Sequence, residues 1–520
     1  MENRTLLAIA LSVAILIGYQ YFYIKTVPHP APVQAPAKGK AQEGSSKPAP
    51  VAPPQILPQT GMSGAEKTVT IDNDLYTAVF TSRGATLKSI ALKKFKDKNG
   101  SLITLRGDAA LPPLALGVDD GFQFSNVNFA VSGGDINLTP SASAAALTFE
   151  YSSDGHSIRR TYTFHYDNYA IDLKDEVNGL DSYWITLGRD FGPYEGDTSV
   201  HYGPVILRDS DRMEFVTKKL AEPKSFRDGI KWIAQEDKYF FSSIVPKGQV
   251  EEAKVWSSNA NALVAMKVKG GTNDYLLYAG PKENDRLKKL NYGLEYIVDF
   301  GFFSIIARPL FWVLKLFYSI FHNYGVAIIF LTIMVRIPFI PLVSKGQKSM
   351  KKLQDIQPRM AEVKAKYKDD PQRMQKELME LYKKHKVNPV GGCLPMLLQI
   401  PFFFALYKVL LISIELRSAP FMLWIHDLSA PDRLFGQLGG INLGGPLPIL
   451  MGITMVIQQR MTPSTMDPSQ QKIMMLMPVV FTFMFLSFPS GLVLYWLVNN
   501  LLSIGQQMYT NRKMEKQPAA

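Results

Sequence analysis

Apolar residues are unevenly distributed along this 520-residue chain. Residues 5–24 carry no charge and lie between Arg4 and Lys25, and about 20 residues at ~1.5 Å each cross a ~30 Å hydrocarbon core. A cleaved leader would end in small residues, whereas this stretch ends in Tyr19, Tyr21, Phe22 and Tyr23, so an uncleaved anchor is expected over 1–25. Residues 26–67 hold nine prolines between Pro28 and Pro58, mixed with Ala, Gly, Ser and Lys, a composition that cannot bury enough apolar surface to fold and reads as a tether. Over 68–300 the period becomes two. Leu147, Phe149 and Tyr151 alternate with polar residues, as do Tyr162, Phe164 and Tyr166, then Ile171 and Leu173, then Val264, Met266 and Val268. Aromatic and β-branched alternation broken by Asn, Asp and Gly predicts a large antiparallel sandwich.

Beyond 300 the apolar segments lengthen. Residues 323–343, 393–412, 444–459, 473–488 and 491–509 are candidate spans, and with the anchor they make six. Segment 301–322 differs, because Ser304, Arg308, Lys315 and Ser319 fall along one helical stripe. A helix with such a stripe lies in the interface more readily than it crosses, so an interfacial helix is expected there. The loop 344–390 carries thirteen Lys and Arg against six Asp and Glu, which places it in the cytoplasm by the positive-inside rule. Arg460, Lys472, Arg512 and Lys513 then fall on the inner side. Both termini are expected inside and the β domain outside.

Composition narrows the chemistry. A single cysteine, Cys393, excludes a disulfide framework and a CxxC pair, and seven scattered histidines without HExxH argue against a catalytic zinc. No nucleotide-binding motif is present, and no cofactor, metal or small-molecule substrate is expected. The excess of 57 Lys and Arg over 45 Asp and Glu suits anionic lipid, nucleic acid or acidic polypeptide. In the β domain Asp175, Glu176, Asp190 and Glu195 read as solvated acids of strand-connecting loops.

Arg336 stands out. It falls within the 323–343 span, where an arginine costs ~2.5–3.5 kcal/mol on insertion scales, and the other spans offer no carboxylate to pair with it. An unpaired arginine points to a wet cavity open to the cytoplasm; the alternative, snorkelling along the helix, would have to reach over roughly 10 Å. Thr332 lies one turn away on the same face, and Gln399, Thr454 and Gln458 sit in other spans. Trp496, Asn500, Ser503 and Gln507 keep helical spacing on the last span. Each polar residue alone is consistent with interhelical hydrogen bonding, but together with the arginine they outline a hydrophilic groove. Met451, Met455, Met461, Met466, Met474, Met475, Met477 and Met484 crowd the neighbouring segments, and flexible methionine surfaces accept varied apolar partners. Residues 345–387 read as a cytoplasmic helical hairpin. Leu353, Ile356, Met360, Val363 and Tyr367 form the seam of one arm, while Asp370 caps a second arm that begins at Pro371 and carries Met374, Leu378 and Leu381.

These residues fit a known pattern. Val335-Arg336 with Pro338, Asn388-Pro389-Val390-Gly391-Gly392-Cys393-Leu394-Pro395, Gln399-Ile400-Pro401 and Glu415-Leu416-Arg417 occur in order. Trp424-Ile425-His426-Asp427-Leu428-Ser429 and Phe488-Pro489-Ser490-Gly491-Leu492-Val493-Leu494-Tyr495-Trp496 follow them. Over 300–510 the chain resembles the YidC/Oxa family of membrane protein insertases, in the Gram-negative form with a periplasmic β-supersandwich. The resemblance implies a polytopic α-helical inner-membrane core of six transmembrane helices, one interfacial helix and a cytoplasmic hairpin, plus an extracytoplasmic all-β domain. It implies that Arg336 holds acidic tails of incoming chains and that Thr332, Trp496 and Gln458 line the groove, to which the polar pattern of the spans adds Asn500 and Gln399. The hairpin, with Lys351, Lys352, Arg359, Asp369, Lys383 and Lys384, would receive substrate and meet the ribosome or targeting partners, and the β domain would border the Sec translocon; by charge alone the basic face of the hairpin suits solvent, anionic lipid or nucleic acid. Trp496 replaces a tyrosine found in some members. The basic tail over 510–520 is short, so ribosome binding through a long extension is not expected.

The reading is an insertase and foldase without covalent chemistry, acting on nascent membrane proteins alone or with the Sec translocon. A solute transporter would use the same cavity with a path to the outside, and a tethered carbohydrate enzyme would place the activity in 68–300.

Overall fold

The computed structural model describes residues 65–515, apart from 98, 107–109, 154, 189–190, 192–199, 259–260, 386, 388–393, 439–440, 443 and 463–467. The expected anchor, all but the last residues of the tether, the motif over 388–393, Asp190, Glu195, Met466 and residues 516–520 lie outside them.

The period-two region folds as two sheets. The smaller orders Leu102–Arg106, Thr86–Lys96, Tyr76–Thr81, Thr68–Asp72 and Ile136–Asn137, and only the last of these joins in parallel. The larger is built around two long antiparallel strands, Ala170–Thr186 and Asn261–Pro281, whose register shifts between Val177 and Ser182. Its path runs outward to Asp211–Glu214 on one side and through His156–His165 and Ala144–Ser153 to Ala130–Ser132 on the other. The inner faces meet through aromatic rings. Phe80 of the smaller sheet lies 4.7 Å from Tyr162 and 5.4 Å from Phe164 of the larger. The alternating residues Leu147, Phe149, Ile171, Leu173, Val264, Met266 and Val268 are all buried, so the sequence period points inward as expected.

One reading is corrected here. Asp175 is not a solvated loop acid but lies inside the Ala170–Thr186 strand, fully buried, where it accepts hydrogen bonds from Arg160 Nε at 2.8 Å and Nη2 at 3.2 Å. Glu176 beside it faces outward to Lys174 and Arg159. Strand alternation sends neighbouring acids to opposite faces, and a buried carboxylate persists only with its cation.

Helices follow the sheets. Helix α1 (Asn284–Leu290) closes the β domain and leads through short 3₁₀ turns into α2 (Ser304–Phe321). Next come α3 (Tyr324–Arg336), a 3₁₀ turn over Ile337–Phe339, and α4 (Ile340–Asp355), then α5 (Gln357–Lys366), α6 (Pro371–Lys384) and α7 (Leu394–Ile412). The chain ends in α8 (Pro446–Met461), α9 (Pro468–Phe485) and α10 (Ser490–Glu515). Among the described residues, Gly301–Phe321 and Tyr324–Asp355 are long and apolar enough to cross a bilayer by length and composition. The first is the segment expected to lie in the interface. Hydropathy alone does not separate the two cases, because the polar stripe of α2 is narrow.

The helical core is tied to the sandwich. Arg417 lies over the rings of Tyr239 and Phe240, at 5.7 and 5.5 Å, and Lys315 pairs with Asp285. The apolar core of the sandwich continues through Phe300 and Ala307 into α2, α3, α7 and α10.

The hairpin differs in detail from its sequence reading. Residues 345–355 continue α4, which ends at Asp355, and Pro358 begins a new helix, so one expected arm is two. Leu353, Ile356, Met360 and Val387 form a small core of their own against Leu378, Leu381 and Tyr382. The second arm starts as expected: Asp370 accepts from Arg373 N at 3.1 Å and Pro371 follows.

Candidate substrate groove around Arg336

Helix α3 begins with an Asn cap. Asn323 accepts from Val326 N at 3.1 Å and donates its own amide to Phe421 O at 2.9 Å, which ties the N-terminal end of α3 to the loop after α7. Gly325 lets that loop approach, since a Cβ there would stand 2.0 Å from the Phe421 ring. The helix ends at Arg336, where Pro338 and Pro341 remove two backbone donors and force the 3₁₀ turn.

Arg336 is half-buried and its guanidinium faces α10. Nη1 donates to Asn499 Oδ1 at 2.7 Å and, at 3.4 Å, to Asn499 O, while Nη2 donates to Gln506 Oε1 at 3.3 Å. Gln506 in turn donates to Ile340 O at 2.9 Å and Ser344 Oγ at 3.0 Å. Asn499 and Gln506 are seven residues apart, two turns of one helix face, so they grip the arginine from both sides. No carboxylate lies within ion-pair distance of Arg336 among the described residues. The charge is therefore solvated by neutral amide oxygens and remains uncompensated.

The other candidates separate into groups. Thr332 is buried and its hydroxyl bonds back to Ile328 O at 2.6 Å. Asn500 is buried on the neighbouring face of α10, donating to Thr454 Oγ1 at 3.2 Å, and Gln507 donates to Met461 O. Asn500 and Gln507 thus pack α10 on α8, while Ser503 Oγ bonds back to Asn499 O at 2.8 Å, and the residues meeting Arg336 are each one position before Asn500 and Gln507. Gln399 Nε2 lies 3.5 Å from the Tyr495 hydroxyl. Trp496 joins an aromatic group with Phe403 at 4.9 Å, Phe485 at 5.2 Å and Phe481 at 6.2 Å. Gln458 is half-buried on α8, one turn past Thr454. Asn499 and Gln506 escaped the sequence reading. Their signal was present: an i, i+7 amide pair on the span that closes against Arg336.

Next to this constellation α8 and α9 present apolar side chains. Ile449, Ile453 and Ile457 are exposed on α8, and Met474, Met475, Met477, Phe483 and Met484 on α9. On the hairpin Lys352, Arg359, Asp369, Lys383 and Lys384 are exposed and Lys351 is half-buried, with Arg359 Nη1 donating to His385 Nε2 at 3.2 Å.

At the opposite end, the Trp424 to Ser429 motif is a scaffold. Asp432 accepts from Trp424 Nε1 at 3.1 Å and from Leu447 N at 3.0 Å, which caps α8 from a distant loop. Asp427 accepts from Ser429 N and Oγ at 2.8 and 2.7 Å. Ser490 Oγ donates to Ala430 O at 2.8 Å, which seats the start of α10 on the same loop.

An all-β domain continuous with a helical core holding an uncompensated arginine defines a class, and comparison with known proteins identifies it. The family model described as "YidC periplasmic domain" matches residues 68–313, and "60Kd inner membrane protein" matches 316–517. The chain is 42% identical to the membrane protein insertase YidC of Pelobacter propionicus, covering 98% of this chain and 99% of that one. It is 40% identical to that of Syntrophus aciditrophicus, covering 99% and 100%. A crystal structure titled as an active YidC insertase matches 85% of this chain and 92% of its own at 20% identity, with a TM-score of 0.39. These are inner-membrane proteins carrying a periplasmic domain. The chain belongs to the YidC family of membrane protein insertases.

Proposed function

We propose that this insertase acts on newly made inner-membrane proteins through a hydrophilic, cytoplasm-facing groove whose functional centre is Arg336. The observation that carries the reading is the guanidinium held by Asn499 and Gln506 without a carboxylate. Along α10 those residues stand nine and sixteen positions from Ser490, about 14 and 24 Å from the outer end, which puts Arg336 in the inner half of a ~30 Å core. An incoming acidic tail exchanges neutral amide oxygens for a carboxylate, whose opposite charge and two acceptor oxygens match the guanidinium fork. The tail is thereby held part-way across. Its apolar segment then leaves along the exposed faces of α8 and α9, drawn by transfer into lipid. No covalent step is needed.

The wider arrangement follows the same reading. The anchor and the five later spans make six passes with both termini cytoplasmic, α2 lies at the outer surface, and domain limits fall at 25, 67, 300, 322 and 509. Thr332, Gln458, Trp496 and Gln399 shape the groove rather than bind charge. The exposed cations of the hairpin meet anionic lipid and the ribosome, and the β domain borders the Sec translocon.

Liposomes containing this protein alone, given a one-span substrate with a short acidic tail, test the proposal by protease protection. Arg336→Ala is expected to lower insertion about tenfold and Arg336→Lys to retain most of it. Full insertion by both variants would remove the arginine from the mechanism.

A further inference from the structure

Helix α2 carries three kinds of surface. Ala307, Leu310 and Leu314 are buried against the core. Ile305 and Trp312 are 86% and 66% exposed and share a side with Ile320. Between these two faces runs a polar flank, with Arg308 6.0 Å from the Tyr296 ring and Lys315 paired with Asp285 of α1. The flank is not flush with the β domain. It borders a cavity of about 450 Å³ enclosed by α1, α2 and residues 295–300, within the range of small-ligand sites.

The charges in that cavity are specific. Asp285 occupies Lys315, which leaves Arg308 and the exposed Lys288 as cations and Glu295 as an acid. Glu295 Oε2 is buried and has no hydrogen-bond partner among the described residues, an acceptor left without a donor. Trp312 and Leu316 line the cavity and also belong to the exposed apolar side of the helix, so the cavity opens onto that apolar side. An occupant must therefore offer an anion, a nearby hydrogen-bonding cation and an apolar tail. An anion alone would meet the Glu295 carboxylate, and an apolar molecule would strand all three charges.

We propose that this cavity binds the headgroup of an amine-bearing zwitterionic phospholipid of the outer leaflet, its phosphodiester at Arg308 and Lys288 and its ammonium at Glu295. The acyl chains run over Leu316 and Trp312. The lipid bridges α1 of the β domain to α2 and holds the domain at a fixed height above the membrane. The inference rests on the placement of α2 at the outer surface.

The test uses the full chain in detergent, with lipid adducts counted by native mass spectrometry after equal additions of phosphatidylethanolamine, phosphatidylcholine and phosphatidylglycerol. Wild type is expected to retain the ethanolamine lipid about tenfold better than the choline lipid, which has no N–H to donate. Glu295→Gln should erase that preference, and Lys288→Glu, at an exposed position that does not disturb folding, should weaken every phospholipid. Equal retention of ethanolamine and choline lipids, tighter binding of the glycerol lipid, or adducts indifferent to Lys288→Glu would overturn the proposal. Placement is read separately in vesicles, as the component of tryptophan quenching by brominated lipid that is lost in Trp312→Phe, the remainder belonging to other tryptophans such as Trp496. Quenching without headgroup preference rejects the cavity alone. Headgroup preference without quenching rejects the placement of α2 instead.

Discussion

Adjacent residues on α10 do different work. Asn499 holds the guanidinium of Arg336, and Asn500 bonds Thr454 across a helix interface. Asn499→Ala with Gln506→Ala is expected to change insertion several-fold in the liposome assay while leaving Tm nearly unchanged. Asn500→Ala should do the reverse, costing about 0.6–1.7 kcal/mol in chemical denaturation. The β domain supplies a second contrast at this scale. Burial by itself raises Glu236, but Lys282 at 2.6 Å, Arg212 and His201 outweigh it and hold the carboxyl below its ordinary 4.5. The ion pairs therefore stabilise the fold fully above about pH 4.5 and lose that contribution as pH falls through the lower folded pKa. Scanning calorimetry from pH 7 to pH 3 should show a steep acid limb that flattens in Glu236→Gln. An identical acid limb in the variant would assign acid sensitivity to other groups.

At the scale of elements, caps and prolines set the boundaries. Asp370 and Pro371 define the start of α6, and Asp370→Ala should cost about 1 kcal/mol locally. Hydrogen exchange is the suitable readout, with faster exchange over residues 371–375 and no change in α8 or α10. The hairpin has its own small core, so its opening need not disturb the membrane core. Much of this level was legible beforehand, because Asp-Pro is a local signal that no distant contact contradicts. The break at Ile356 was not read, although Pro358 announced it: Leu353, Ile356 and Met360 keep helical spacing straight across the junction and all reach the same buried seam.

Across the whole molecule, the β domain and helical core are joined by a continuous apolar core and by individual side-chain contacts. Arg417 over Tyr239 and Phe240 is one, and each such cation–π contact is worth about 0.5–1 kcal/mol at an exposed site. Arg417→Ala should leave the Tm of either part unchanged yet speed exchange in residues 237–240. Unaltered exchange there would mean that the junction is held elsewhere, through Lys315 and Asp285 or the continuous apolar core.

Period, charge bias and ordered motifs by themselves determined the sandwich, a helical hairpin, the helical segments beyond 300 and an arginine, Arg336, with no carboxylate beside it in sequence. These depend on local spacing and on the cost of a charge in hydrocarbon, both of which are written along the chain. Only the tertiary structure decided which side of α10 faces the arginine, that Asp175 is a buried partner of Arg160, and that α1 and α2 enclose a charged cavity. A helix face one residue to either side turns by ~100°, so the choice between Asn499 and Asn500 depends on where α3 and α8 lie, and no property of α10 alone contains it.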